Sequence, residues 1–262
     1  ALYGTICRLP EYYPTRTEIT LFRERRMEIA EAVGPVRQFV DLGAGDCCKG
    51  EAWLPFLEPA RYVAVDVAAP ELKRALDRMA PEFPATQMAG IVADFRDGLP
   101  LEGVVDERAT LFFYPGSSIG NFTPGEARDF LARIREQCAT RPGSGLLIGV
   151  DAKKDKATLD AAYDDSLGVT AAFNRNVLAH LNRRFGFDFL VEAFDHVAFY
   201  NEAQGRIEMH LEASVEQSVR LGDGLVRRFS RGERIHTENS YKYAAPEFEA
   251  LLKYRPKVEY MQ

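Results

Sequence analysis

Three acidic residues stand where short apolar runs end, in Val40-Asp41-Leu42-Gly43-Ala44-Gly45, Val65-Asp66 and Ala93-Asp94-Phe95. A carboxylate at the end of a buried parallel strand can accept hydrogen bonds from sugar hydroxyls, and a glycine turn lets a ligand approach the backbone. Asp66 follows Gly43 by 23 residues, the spacing at which an acid ending a second strand meets a ribose. Asp94 and Phe95 offer an acceptor for an exocyclic amine and an aromatic face. Where pyrophosphate-binding loops have a third glycine, this loop has Cys48. The pattern therefore suits a nucleoside without a diphosphate, although each acid could instead simply cap its own strand-to-helix turn.

The elements that must carry these residues alternate. Residues 39–42, 62–66, 91–94, 110–114 and 145–151 read as strands, with helical stretches at 70–79 and 124–138. A helix is expected over 15–33, because Thr15 and Glu18 have capping-box spacing and Gly34-Pro35 stops it. Such alternation predicts a doubly wound, mostly parallel sheet with acids at its carboxyl edge, Asp151 among them. From about Leu159 the pattern changes to one long helix over 159–185. Segments 194–200, 206–214 and 218–220 then alternate like antiparallel strands, with Gly222-Asp223-Gly224 as a turn. The expected fold class is thus α/β, a Rossmann-like core at 15–158 with an inserted α+β subdomain at 159–245. Segments 1–14 and 246–262 are expected to pack on the core.

Composition narrows the chemistry. In 262 residues, 46% hydrophobic and 27% charged side chains exclude a disordered or collagen-like chain. A net charge of −6 provides no field for phosphate backbones, so nucleic acid is not expected as a partner. No apolar run approaches a membrane span, and the first residues lack a secretory pattern. Cys7, Cys47, Cys48 and Cys138 match neither a metal ribbon nor a disulfide ladder, which points to reduced thiols in the cytoplasm. His180, His196, His210 and His236 are scattered, so no metal site is expected. Gly116-Ser117-Ser118-Ile119-Gly120 is one residue off a nucleophile elbow. The chain begins without Met, in residues that read like the interior of something longer.

Longer motifs add specificity. The runs at 10–18 (PEYYPTRTE), 116–121 (GSSIGN), 162–165 (AYDD), 168–174 (GVTAAFN) and 206–209 (RIEM) together resemble the ergothioneine-pathway L-histidine Nα-methyltransferase family. That resemblance implies S-adenosylmethionine as cofactor and transfer of up to three methyl groups to the α-amine of histidine, giving hercynine. It implies cofactor contacts from Gly43, Lys49, Asp66, Asp94 and Phe95. Histidine contacts would come from Tyr13, Gly116, Asn121, Tyr163, Thr170, Met209, Glu238 and Ser240, with Tyr13 and Asn121 nearest the chemistry. It also implies a further N-terminal segment that helps close over the substrate, a small-molecule partner only, and a monomer or weak oligomer. A histidine thioether or another aromatic amino acid is the rival substrate, and a non-catalytic binding module the rival from another class.

The residues bear on these roles one at a time. Asn121 can donate to a carboxylate or accept from an amine, or it can cap the helix starting at Pro124. Tyr163 can hold a carboxylate without adding charge, or pack as a half-buried ring. Glu238 and Ser240 share one side of an alternating strand, where an acceptor and a hydroxyl can meet the two nitrogens of one imidazole. Glu238 could equally be an exposed strand residue paired with Lys242 or Arg234.

Overall fold

The computed structural model describes residues 2–96 and 98–253. Of the expected C-terminal flank, 254–262 lie outside the described residues. The chain divides into two compact units, one of Glu18–Val150 with Ala244–Gln262 and the other of Ala1–Thr17 with Asp151–Tyr243.

The first unit holds a parallel sheet of β1 (Gln38–Leu42), β2 (Arg61–Asp66), β3 (Gln87–Val92), β4 (Thr110–Tyr114) and β5 (Gly145–Ile148). Their order is β3-β2-β1-β4-β5, that of a doubly wound sheet reversing direction beside β1. Central β1 and β4 are buried along their whole length, which is why they read as unbroken apolar runs. Edge strand β3 is only partly covered, so its apolar signal is short and the strand starts four residues before the expected 91. Phe39, Tyr62, Phe113, Trp53 and Met79 fill the core. Each such side chain contributes about 1.5–3 kcal/mol by leaving water.

Helix starts follow capping chemistry. The helix Pro124–Ala139 begins on a capping box in which Thr123 accepts from the Glu126 N–H and Glu126 accepts from the Thr123 N–H. Asn121 is therefore not its cap. The expected single helix over 15–33 is two, Tyr13–Glu24 and Arg26–Val33. The first starts two residues early, with Pro14 in the opening turn where its missing N–H costs nothing. Glu18 does not serve a capping box there; its carboxylate is engaged by Lys49 and Gly116.

The second unit carries β6 (Phe194–Asn201), β7 (Arg206–Ala213), the hairpin of β8 (Gln217–Arg220) and β9 (Val226–Phe229), and β10 (Arg234–Tyr241). Strands β10, β7 and β6 form an antiparallel sheet in that order. The expected long helix over 159–185 breaks into Lys156–Tyr163 and Val169–Phe185. Two features end the first and start the second. Gly168 takes a left-handed φ of 69°, and the Asp165 carboxylate accepts the N–H groups of Val169 and Thr170 at 2.9 and 2.7 Å.

Between His236 and Glu238 the β10–β7 register shifts by one residue, at Thr237. A bulge of this kind reverses which face later residues occupy. His236 pairs with His210, whereas Glu238 pairs with Met209 and Ser240 with Ile207. Glu238 and Ser240 thus share the face of the buried cluster of Leu159, Ala162, Tyr163, Ile207 and Met209, and His236 lies on the opposite face.

Candidate functional site

In the parallel-sheet unit, the turn after β1 is shaped by Gly43 and Gly45, whose φ values of 70° and 55° belong to the left-handed region. Asp66, the last residue of β2, accepts the N–H of Gly45 through one oxygen and that of Ala68 through the other, both at 2.9 Å. It therefore caps its turn and also fixes the glycine loop, and its remaining lone pairs stay available. A cleft of about 280 Å³ is lined by Gly43, Asp66, Asp94, Phe95, Tyr114 and Asn121, with Arg96 and Phe122 beside them. Phe95 meets Tyr114 edge-on at 5.5 Å. The Arg96 side chain and backbone N–H hold the Asp94 carboxyl below the usual carboxylate range. Asn121 ends a short 3-10 turn over Ser118–Asn121 and opens into this same cleft.

Lys49 does not line that cleft; its ammonium is paired with Glu18 at 2.5 Å, and the other Glu18 oxygen accepts the Gly116 N–H at 2.5 Å. Asp41 corrects the expected row of edge acids. Asp41 lies inside β1, accepts from the Tyr62 hydroxyl at 2.6 Å, and is pushed by burial to about 7. The close-packing glycine missing at Cys48 is supplied by Gly50, where a Cβ would fall 2.3 Å from the Asp41 carboxylate and 2.6 Å from the Tyr62 hydroxyl. Asp151 belongs to the other unit.

In the antiparallel-sheet unit, one connected polar network runs through the apolar face. Tyr13 donates to Asp151 at 2.6 Å, and Lys154 and Lys242 pair with the same carboxylate at 2.6 and 2.9 Å. Lys242 also donates to the Tyr163 hydroxyl at 2.9 Å and to Ser240 Oγ at 3.0 Å, and Tyr163 donates to Ser240 at 2.8 Å. Burial works against the Lys242 ammonium, but Tyr163 and Asp151 outweigh it and hold the group above its ordinary value. Burial and the Asp151 bond raise the Tyr13 phenol far above its usual range. Met209 and Tyr12 pack around Tyr163, whose ring meets that of Tyr12 edge-on at 6.0 Å.

The Glu238 carboxylate makes no hydrogen bond among the described residues, although its backbone carbonyl lies 3.1 Å from a His236 ring nitrogen. Burial pushes its carboxyl up to about 7, with Lys242 pulling the other way. A half-buried acceptor without a partner, beside Ser240 and Met209, is the arrangement expected of a group waiting for a ligand donor. Thr170 stands apart from this network, at the start of its helix under Asp165. The structure thus gathers Tyr13, Tyr163, Met209, Glu238 and Ser240 in one unit, and Gly43, Asp66, Asp94, Phe95 and Asn121 in the other. Gly50 was not expected here, Asp151 was expected only as an edge acid, Glu18 only in a capping box and Lys242 only as an exposed partner of Glu238. Side-chain parity gave one available signal, since Lys242 follows Ser240 by two residues.

On the outer face of the antiparallel sheet, Glu208, His210 and His236 bring ligand-type atoms within 4.8 Å of one another, which corrects the expectation of scattered histidines. Glu208 is already held by Arg206 at 2.8 Å and by Asn201 at 3.0 Å, and His210 stacks on His236 at 4.6 Å. A guanidinium on the only carboxylate of the trio makes this foremost a charge network. No helix among the described residues is long and apolar enough to cross a membrane.

The chain is similar in sequence and fold to known proteins. Residues 1–256 match the model of a family described as histidine-specific, S-adenosylmethionine-dependent methyltransferases. The histidine N-alpha-methyltransferase of Mycolicibacterium smegmatis is 41% identical over 247 residues, covering 92% of this chain and 75% of that protein. Its Mycobacterium tuberculosis counterpart is 42% identical over 250 residues, with the same 92% and 75% coverage. Ergothioneine biosynthesis protein 1 of Neurospora crassa is 30% identical over 261 residues, 95% of this chain and 29% of that one. Among solved structures, an S-adenosylmethionine-dependent methyltransferase from Clostridium acetobutylicum shares the fold, with a TM-score of 0.51 at 12% identity over 97% of this chain and 87% of that one.

Proposed function

From the premise that the chain belongs to the histidine-specific, S-adenosylmethionine-dependent methyltransferase family, we propose which side chains serve each ligand. The protein is an S-adenosylmethionine-dependent N-methyltransferase that methylates the α-amine of histidine for ergothioneine biosynthesis. The unpartnered Glu238 carboxylate beside Ser240 carries the proposal for substrate recognition. An anionic acceptor selects a ring N–H, and a hydroxyl serves the other nitrogen, so an imidazole fits where a purely apolar side chain would leave Glu238 buried and unpaired. Tyr13, Tyr163, Thr170 and Met209, of the same unit, are assigned to the same ligand.

The donor set after β1 and β2 fits a nucleoside, because Asp66 keeps free lone pairs above a glycine loop that lets a ligand approach the backbone. Gly43, Asp66, Asp94 and Phe95 would hold S-adenosylmethionine, with Lys49 acting through Glu18 and the Gly116 loop. When bound, that molecule supplies an electrophilic methyl group on a sulfonium. The chain contributes positioning, since an in-line displacement gains most from aligned reactants. Tyr13 keeps its own proton, directed at Asp151, so in the first two transfers, while the neutral amine still carries an N–H, its oxygen accepts that N–H and aims the nitrogen lone pair. It does not act as the base. The amine must arrive neutral or lose its proton to water, because free α-amines titrate near 8.

The free thiols support a cytoplasmic enzyme. The direct test is mass spectrometry of histidine incubated with enzyme and S-adenosylmethionine. Successive methyl additions ending at Nα,Nα,Nα-trimethylhistidine are expected. Methylation on a ring nitrogen, or turnover only of a sulfur-substituted histidine, would overturn the assignment.

A further inference from the structure

We propose that Lys242 is a positioning residue for the substrate ring, one that makes the Ser240 hydroxyl a donor and thereby selects the neutral imidazole tautomer whose N–H faces Glu238. The inference rests on the reading of Glu238 and Ser240 as the imidazole partners. An ammonium has three donors and no acceptor, and a serine hydroxyl has one donor and two lone pairs. Lys242, with its side chain 1% exposed, spends its three N–H bonds on Asp151, Tyr163 and Ser240. Ser240 Oγ receives that bond and a second from Tyr163 at 2.8 Å, so both of its lone pairs are filled.

What remains to Ser240 is its own O–H. A ring nitrogen opposite it must then be an acceptor, and the second nitrogen must carry the proton that Glu238 accepts. An imidazolium, with N–H on both nitrogens, would set a donor against a donor. Asp151 secures the device from below. Tyr13 and Lys154 hold its carboxylate, and the carboxylate holds the lysine in place. Without Lys242, one lone pair on each hydroxyl is released, and Ser240 can either donate or accept.

The experiment is a double-mutant cycle on L-histidine binding, by calorimetry with S-adenosylhomocysteine present, across the unaltered enzyme, Lys242→Met, Ser240→Ala and the double variant. Each single substitution is expected to weaken histidine binding about tenfold, the scale of one buried hydrogen bond. The effect of Lys242→Met should shrink at least about threefold once Ser240 is alanine, as coupled neighbours require. In turnover, Lys242→Met should raise KM while kcat stays within about threefold, and S-adenosylhomocysteine affinity should not move. Losses that simply add, or a kcat collapse at constant KM, overturn the inference. Should Lys242→Met fail to fold, Lys242→Gln, which keeps a neutral donor for Ser240, is read instead: histidine binding is expected to stay within about threefold of the unaltered enzyme, and a tenfold or larger loss that is the same with and without Ser240→Ala overturns the inference. Absence of histidine binding by the unaltered enzyme would instead defeat the substrate assignment itself.

Discussion

Glu238→Gln should make the protein more stable and a poorer enzyme at the same time. The carboxyl is raised from 4.5 to about 7, chiefly by burial, with Lys242 opposing. Between those two values the folded state binds a proton that the unfolded chain has released, so stability falls as pH rises through the window and the cost is complete above it. At about 1.4 kcal/mol per unit the gap is worth up to about 3 kcal/mol, less whatever water reaches the side chain. Glutamine keeps the shape without the charge. Its antiparallel-sheet unit should therefore melt about 5–10 °C higher at pH 8, and most of that gain should be gone by pH 5. Histidine binding should go the other way, because a charge-assisted acceptor is worth about 1.5–3 kcal/mol, or roughly 10- to 100-fold in KM. Scanning calorimetry at the two pH values, with steady-state kinetics on the same preparations, tests both halves. Unchanged melting at pH 8 together with an unchanged KM would mean that Glu238 is a solvated strand carboxylate, and the recognition argument would fall.

Other perturbations separate the remaining assignments. Asp66→Ala should weaken S-adenosylhomocysteine binding about 100-fold by calorimetry, since it removes the charged acceptor and loosens the Gly45 turn. Gly50→Ala should destabilise the parallel-sheet unit by about 1–3 kcal/mol in denaturant titration, because the added Cβ has no room beside Asp41 and Tyr62. Tyr13→Phe should lower kcat/KM about tenfold while leaving the shape of its pH profile intact, and a lost rise with pH would show that Tyr13 takes the proton after all. For the unaltered enzyme, kcat/KM should climb from pH 6 toward about 8 as the substrate amine loses its proton, which a stopped assay across buffers reads directly.

Local patterning revealed much of the first unit. Strands β1 and β4 are covered on both faces, so their apolar runs were legible, and Asp66 could be placed by spacing from Gly43 because strand, turn and strand follow in short order. Legibility failed where one residue type has two roles. Glu18 has the spacing of a capping box, yet Lys49 and Gly116 claim its carboxylate; Asp41 ends an apolar run, yet it is roofed by Gly50 rather than exposed at the sheet edge. The break before Val169 was written as Asp165 and Gly168, but helical periodicity on either side of the turn concealed it.

The proposed recognition residues depend on a cause that periodicity cannot display. Plain alternation puts His236, Glu238 and Ser240 on one face, where a histidine would crowd the pocket and Glu238 would have a ready neighbour. A single extra residue at Thr237 separates them, sending His236 outward against His210 and leaving Glu238 inward without a partner. Lys242 follows from the same parity, two residues beyond Ser240, yet a lysine at such a position is ordinarily solvated. What pairs with it is Asp151, 91 positions earlier in the chain, which Lys154 holds from three residues along and Tyr13 from a further segment. A buried ammonium is stable only when all three of its protons are taken, and here two of the takers are the hydroxyls beside the substrate position. The charge that this unit must neutralise to fold is therefore also the charge that orients those hydroxyls, so stability and ring selection cannot be altered independently at Lys242.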